Sequence, residues 1–417
     1  MKIAVLGAGV TGICTAYELT KDGHAVNVYD KNSAAAQGSS FANAGLINSA
    51  LALPRSMPPW QSGIFSAFSP DQDKIQVALR TNLQQIKWLW AWRNAHKHPN
   101  FLSKCQDLRA LLDYSQARMQ QIAAEAGLEF EHQPGQLLIC REPAELARAQ
   151  AHIVWLKEIG SVVRAVSGGE ARSIEPSLPL DIKLAGAWHF PDDETVNSRQ
   201  FALLLKNESM RLGAQFHFNA EVSRLMHGDS PEVIFKNDVP SKTFDAVVVC
   251  TGGLSRTLRT SIGHPLPVED LYGYALTAII KEPLNAPRGA LIDTKSGSVV
   301  ARIGNRVRVS SGVSLGDSPD HQNATVIKNL YQTLQTFFPS AVSLSSSAQV
   351  WKGSSFTTSD GLPHLGLSAA NGIWLNIGHG ANGWGLACGC ARVLADLMKS
   401  RNPAVKFESM LPTRKLK

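Results

Sequence analysis

Near the start of the chain, Gly7-Ala8-Gly9-Val10-Thr11-Gly12 spells G-x-G-x-x-G, and an acidic residue, Asp30, stands eighteen positions after the last glycine. Glycines at that spacing permit a tight turn and a close backbone approach, so a pyrophosphate can rest on the unpaired N–H groups that open a helix. An aspartate ending the next strand bonds both ribose hydroxyls and disfavours a 2′-phosphate. The chemistry implied is dinucleotide binding, with FAD and NAD as rivals and NADP the poorest fit. The glycine pattern alone is weak, because glycines recur by chance. Context strengthens it: Ile3-Ala4-Val5-Leu6 reads as a strand, Ile13 to Lys21 as a helix and Ala25 to Tyr29 as a second strand, which together make one βαβ unit.

Three later segments favour FAD. Ser39-Ser40-Phe41-Ala42-Asn43-Ala44-Gly45 supplies small and hydroxylated residues that let backbone amides reach phosphate and flavin. Phe244 to Gly253 is a buried strand running into a turn, suited to return beside the dinucleotide. Gly378-His379-Gly380-Ala381-Asn382-Gly383-Trp384-Gly385 lies between a strand and a helix, where exposed amides at a positive helix end can stabilise charge on N1 and C2=O of a reduced flavin. His379 is a candidate acid or flavin attachment point, although a histidine between glycines equally suits local hydrogen bonding. The candidate cofactor-binding residues are Gly7, Ala8, Gly9, Val10, Thr11, Gly12, Asp30, Lys31, Ser39, Ser40, Asn43, Ala44, Gly45, Leu46, Val222, Thr251, Gly252, Gly378, Gly380, Asn382 and Gly383.

A chain of 417 residues can bury large cores and divide into two or three domains. With 44% hydrophobic and 18% charged residues it is an ordinary globular composition, and no run approaches the ~20 apolar residues of a membrane span. Lys2 followed by a short strand is not a secretory signal, so a cytoplasmic chain starting at Met1 is expected. The six cysteines are scattered and read as reduced thiols; Cys388-Gly389-Cys390 lacks a partner pair at zinc spacing, and no metal is expected. The net charge of +7 is dispersed, which argues against nucleic acid and suits an anionic membrane surface or an acidic substrate.

The elements that must position these groups form an α/β chain. Residues 50 to 64 read as an irregular excursion, Ile75 to Asn94 and Leu108 to Ala126 as helices, Gln136 to Arg141 as a strand, Ala144 to Glu158 as a helix, and Ala185 to Phe190 as a strand. A helix from Arg199 to Leu212 precedes buried strands at 214–218 and 244–250. Leu271 to Ile280 and Ser298 to Ser310 alternate as antiparallel strands of a second domain, and Ile373 to Ile377 and Leu386 to Lys399 return to strand and helix. A Rossmann-like FAD-binding domain of discontinuous segments (1–90, 155–180, 205–255 and 340–417) is expected, with an inserted mixed or antiparallel-sheet substrate domain (91–154, 181–204 and 256–339). Lys87-Trp88-Leu89-Trp90-Ala91-Trp92-Arg93 spreads tryptophans round a helix, in part core; tryptophan beside Lys and Arg also suits a membrane interface, as for an enzyme that passes electrons to a quinone.

Taken together, the glycine motif, Ala42-Asn43-Ala44-Gly45, Pro191-Asp192-Asp193-Glu194-Thr195, Tyr272-Gly273-Tyr274, Asn305-Arg306-Val307-Arg308-Val309, Asp360-Gly361 and the Gly378 to Trp384 turn resemble the D-amino-acid dehydrogenase and glycine oxidase branch of the FAD-dependent amine oxidoreductases, nearly end to end. The resemblance implies noncovalent FAD and oxidation of the C–N bond of an amine or amino acid by hydride transfer to flavin N5, giving an imine that water hydrolyses. It also implies Tyr272 and Tyr274 as substrate-site hydroxyls, and it directs attention to Arg302 and His379 as catalytic candidates. One departure bears on substrate: the family shows W-x-G-x-R-P-x-T-x-D-G, whose arginine pairs with the substrate carboxylate, whereas here Ser355 occupies that position in Trp351 to Gly361. Either Arg302 or Lys352 takes the carboxylate, or the substrate is not a simple α-amino acid. Two alternatives stand beside this reading: FAD-dependent oxidation of a hydroxy acid, with His379 as base, and a flavoprotein subunit that needs a partner.

Overall fold

Ile3 to Leu6 are apolar without alternation because their strand, Lys2–Leu6, is covered on both faces. In the computed structural model, which describes residues 1–48, 75–78, 81–158, 160–236, 239–254, 256–263, 265–344 and 348–414, that strand lies inside a six-stranded sheet. The order is His364–Leu367, Ile373–Ile377, Ala246–Val249, Lys2–Leu6, Ala25–Tyr29, Gln215–His217, parallel throughout except for the first strand. Ile3 and Val5 pack towards the helices Val10–Lys21, Phe101–Ala126, Ser198–Arg211 and Gly383–Met398. Ala4 and Leu6 pack towards a three-stranded sheet of Val222–Met226, Glu232–Phe235 and Lys242–Thr243. The helical layer is also tied by charge: Glu18, fully buried, accepts two bonds from Arg118 (2.6 and 2.9 Å) and one from Arg392 (2.7 Å).

A second, ten-stranded sheet lies beside it. Its order is Gln349–Thr358, Val268–Ile279, Arg306–Leu315, Ser298–Ile303, Ala290–Asp293, His132–Cys140, Gly186–Val196, Leu46–Ile47, with Gln76–Val77 and Arg164–Val166 as side pairings. Most pairs are antiparallel; Ala290–Asp293 runs parallel to His132–Cys140. One face, bearing Tyr274, Leu276, Val300, Val307 and Val309, is covered by the Ala324–Phe337 helix through Leu330, Leu334 and Phe337.

Several boundaries differ from expectation. Phe101–Ala126 and the start of Ser198–Arg211 lie in segments assigned to the substrate domain, yet Leu108, Leu111, Phe201 and Ala202 pack in the nucleotide-domain core. Conversely, Leu46–Ile47 and Gln349–Thr358 belong to the ten-stranded sheet, because they pair with Gly186–Val196 and Val268–Ile279. The stretch 298–310 is not one strand but two arms of a hairpin, broken where Gly304 takes φ +57°. The expected helix does not start at Ile75: Gln76–Val77 pairs with Ser314–Leu315, and the described helix begins at Leu83 behind a capping box in which Asn82 and Gln85 bond each other's backbone amides. The irregular excursion expected at 50 to 64 lies outside the described residues. Of the three clustered tryptophans, Trp88 and Trp92 stack on each other in the core and Trp90 is 71% exposed. All six cysteines are buried and unpaired as disulfides, and no metal-ligating group of side chains occurs among the described residues.

Candidate cofactor and substrate site

The turn after Lys2–Leu6 has no room for side chains at its first and last glycines. Gly7 holds φ +103°, and a Cβ there would stand 2.9 Å from the Cys250 carbonyl oxygen; a Cβ on Gly12 would stand 1.8 Å from the Gly7 carbonyl oxygen. Gly9 is the N-cap of Val10–Lys21 and carries no side chain that could cap the helix. Val10 N–H donates to Ser40 Oγ (3.0 Å), which brings the 39–45 segment over the turn. Asp30 sits beside it: Oδ2 accepts from Ala8 N–H (2.6 Å) and Oδ1 from Asn32 (2.8 Å to the backbone). Ala220 N–H donates to the Asp30 carbonyl, which places Val222 near the same strand end, while Lys31 is exposed. Thr251 Oγ1 is buried with no hydrogen-bond partner among the described residues, and the Gly252 Cβ position lies 3.7 Å from Ser39 Oγ.

The C-terminal turn meets the ten-stranded sheet. Gly378 (φ +81°) and Gly380 (φ +56°) flank His379, which bridges to Thr357; Cβ atoms at the two glycines would press on Thr358 and Thr357. A single 3₁₀ turn, Gly380–Asn382, then leads into Gly383–Met398, whose N-terminus also has no side-chain cap. The His379 ring is held to Asn376 Oδ1 through Nε2 (2.9 Å), and Asn376 Nδ2 donates to Thr15 Oγ1 (3.0 Å) on the first helix. Burial pushes His379 down to about 4, so its imidazole is neutral in the physiological range and one nitrogen is committed to Asn376. Through Asn376 and Thr15 the ring is tied to the helix that follows the first glycine turn.

Asn43 closes the cradle. Its Oδ1 accepts from Gly45 N–H (3.1 Å) and Ser198 Oγ (2.8 Å), and Gly45 (φ +73°) lies with its Cβ position 2.6 Å from the Val196 carbonyl. Ala44 and Leu46 follow against the core that includes Phe190 and Ala301.

A family model described as FAD dependent oxidoreductase matches residues 2–397. The chain belongs to that family. A D-amino acid dehydrogenase of Neisseria meningitidis serogroup C is 28% identical over 416 residues, 99% of each chain. Among solved structures, glycine oxidase from Geobacillus kaustophilus superposes with a TM-score of 0.74 at 21% identity, covering 99% of this chain and 98% of that one. L-proline dehydrogenase from P. horikoshii gives 0.74 at 17%, covering 99% and 97%. These structural likenesses establish the shared fold. FAD is accordingly the cofactor, and the chain fits it: two glycine turns that exclude side chains, two uncapped helix ends and the partnerless Thr251 hydroxyl form a cradle for a dinucleotide.

On the ten-stranded sheet of this flavoprotein, strand alternation decides which residues meet. Ser355 pairs with Leu271, and the same face carries Gly273, Ala275 and Thr277, then Arg308 across from Thr277. Trp351, also on this face, stacks near Phe41 (6.3 Å between centroids). Tyr272, Tyr274 and Lys352 project to the other face: Tyr274 Oη accepts from Asn323 N–H (2.9 Å), and Lys352 is locked by Asp317 (2.8 Å) and the Ser318 and His321 carbonyls. Arg302 is turned the same way, since Ala301 and Ile303 take the inward positions; it donates to the Gly304 carbonyl and borders a separate hollow of about 370 Å³ with Glu175, His189 and Arg288. Neither Lys352 nor Arg302 therefore replaces the arginine missing at 355. Arg199 and Arg308 are not among the site candidates read from the sequence, although Arg308 lies in the 305–309 stretch that carries the family resemblance. Arg308 donates to the Asn43 carbonyl (2.8 Å), and the Arg199 guanidinium lies 4.3 Å from the Phe41 ring centre. The alternation Arg306-Val307-Arg308-Val309 was the available signal, with both arginines on the face opposite two buried valines.

Proposed function

We propose that this chain oxidises the C–N bond of an amine or amino acid, as a D-amino-acid dehydrogenase-like enzyme. Bound FAD supplies the two-electron acceptor for hydride from the carbon beside nitrogen. The protein's own residues hold that group between the Gly7–Gly12 and Gly378–Gly383 turns and present the substrate on the Ser355 and Gly273 face of the second sheet. One observation carries the choice of donor: His379, the base a hydroxy-acid oxidation needs, sits at about 4 with one ring nitrogen held by Asn376. A group that acidic is a poor acceptor for an alcohol proton, whereas an amine that binds deprotonated needs no protein base. Orientation over the sheet supplies the selectivity.

Anaerobic addition of D-amino acids, glycine, secondary amines and hydroxy acids to the purified flavoprotein tests this. Bleaching of the flavin band by an amine and not by hydroxy acids is expected; bleaching by hydroxy acids alone overturns the reading.

The electron acceptor of this reading is a quinone or other carrier reached at a membrane surface. No described helix is long and apolar enough to cross a membrane. The Leu83–Asn94 helix, however, turns Leu83, Ile86 and Trp90 outward at helical spacing, beside Lys87 and Arg93 and with no acidic residue on the helix. Such a face suits anionic lipid headgroups. Trp90→Ser is expected to lower cosedimentation with phosphatidylglycerol vesicles severalfold; equal partitioning of the two proteins would remove the membrane from the proposal.

A further inference from the structure

Position 355 offers no cation to an anionic group in this chain. Ser355 Oγ donates to the Leu271 carbonyl (3.4 Å), and two positions along the same face stands Glu269, a buried carboxylate reached by Gln84, Gln85 and, at 3.7 Å, Arg259. The opposite end of the Val268–Ile279 strand has the reverse character. Arg308 is 7% exposed; its Nε donates to Thr277 Oγ1 (3.0 Å) and its Nη1 to the Asn43 carbonyl (2.8 Å), both neutral acceptors. Arg199, over Phe41, and Arg306 each bury an Nε that has no partner among the described residues, as does the hydroxyl of Ser310, two residues on from Arg308. Glu131 meets Arg306 at 3.1 Å, and no carboxylate meets Arg199 or Arg308 among the described residues. Three cations thus face one acid. Burial and the two neighbouring arginines push Arg308 down to about 10, the direction expected of a cation that lacks its counter-charge.

Resting on the amine-oxidation reading, we propose that Arg308 and Arg199 form the carboxylate subsite for substrate, displaced along the sheet from the position where the family keeps its arginine. Thr277, opposite Arg308, is six residues from Leu271, opposite Ser355, which is roughly 20 Å along the strand at ~3.3 Å per residue. A simple α-amino acid oriented towards residue 355 loses its anchor. The favoured substrate class is an amine whose carboxylate points to the 41–45 segment and is separated from the reacting carbon by a longer or N-linked arm. A second anion, the cofactor's pyrophosphate, could satisfy the same cations, and the test separates the two.

The flavin-loaded protein is titrated with benzoate and with benzamide, following the flavin spectrum, and its flavin-to-protein ratio is measured separately. Benzoate is expected to bind at least tenfold more tightly than benzamide. In the flavin-loaded fraction Arg308→Met should weaken benzoate by about 10- to 100-fold, the range for losing a charge-assisted pair, with benzamide unchanged. Arg308→Lys should fall between the two, and Arg199→Gln, on a partly exposed side chain, gives an independent loss should Arg308→Met fail to fold. Undiminished benzoate affinity in flavin-loaded Arg308→Lys and Arg199→Gln overturns the proposal, as does equal binding of the two probes by the unaltered protein. Lost flavin with unchanged benzoate affinity in the loaded fraction assigns the cations to the pyrophosphate instead. Failure of the amine-oxidation reading shows separately, as absence of bleaching by any amine.

Discussion

Gly12→Ala should yield a protein that purifies without flavin. The added Cβ would lie 1.8 Å from the Gly7 carbonyl oxygen, far inside any tolerated contact, and both atoms belong to backbone that is fixed from elsewhere. Gly7 N–H donates to the Tyr29 carbonyl (2.8 Å), and Cys250 N–H donates to Leu6 (2.8 Å), so the turn cannot slide away without breaking the parallel sheet. The helix must move instead, and with it the first-turn amides that would receive the pyrophosphate. Overpacking of a methylene into a well-packed site typically costs 1–3 kcal/mol, and a clash between two backbone segments belongs at or above the top of that range. Gly9→Ala is the matched control, because its Cβ would meet only Ser40 Oγ at 3.4 Å and should lower flavin affinity modestly. The ratio of flavin-band to protein absorbance reads both. A Gly12→Ala protein that retains stoichiometric flavin would show that this turn is not the dinucleotide cradle.

The contrast between the glycine turns and the ten-stranded sheet shows what the sequence alone carries. Around Gly7 to Asp30 the pattern is local: strand, turn, helix and strand follow one another within thirty residues, so spacing alone places the acid beside the turn. The same holds for Ile373 to Gly383. On the second sheet, alternation divides each strand into two sets of side chains without stating which set faces the cofactor. Tyr274 and Arg302 were attractive by type, but Tyr274 belongs with Leu276 under the Ala324–Phe337 helix and Arg302 with Val300. Arg308 became visible only when the register with Thr277 and the bond to Asn43, 265 residues away in sequence, fixed the inward set. Domain limits failed for a related reason. Phe101–Ala126 carries an apolar stripe that suits either core, and its attachment to Val10–Lys21 and Gly383–Met398 depends on contacts between the two ends of the chain.

Those long-range contacts make the second large effect. Glu18→Ala is expected to destabilise the protein by about 3–5 kcal/mol, the range for breaking a buried ion pair on one side. The carboxylate is fully buried, and its loss strands the Arg118 guanidinium inside the helical layer and takes one partner from Arg392. Burial works against the Arg118 charge, yet Glu18 more than offsets it and the guanidinium ends above its ordinary value. Arg392 keeps Asp22 (2.5 Å) and Asp396 (3.0 Å) when Glu18 is removed, so Arg118 bears most of the penalty. The double variant Glu18→Leu with Arg118→Met should therefore recover most of the loss, since neither buried charge then lacks a partner. Urea midpoints of the three proteins at fixed FAD concentration measure this, and equal destabilisation of the single and double variants would place the contribution in packing rather than charge. Because the same helix begins at the dinucleotide turn, added FAD should raise every midpoint, by an amount that follows the logarithm of the affinity that survives.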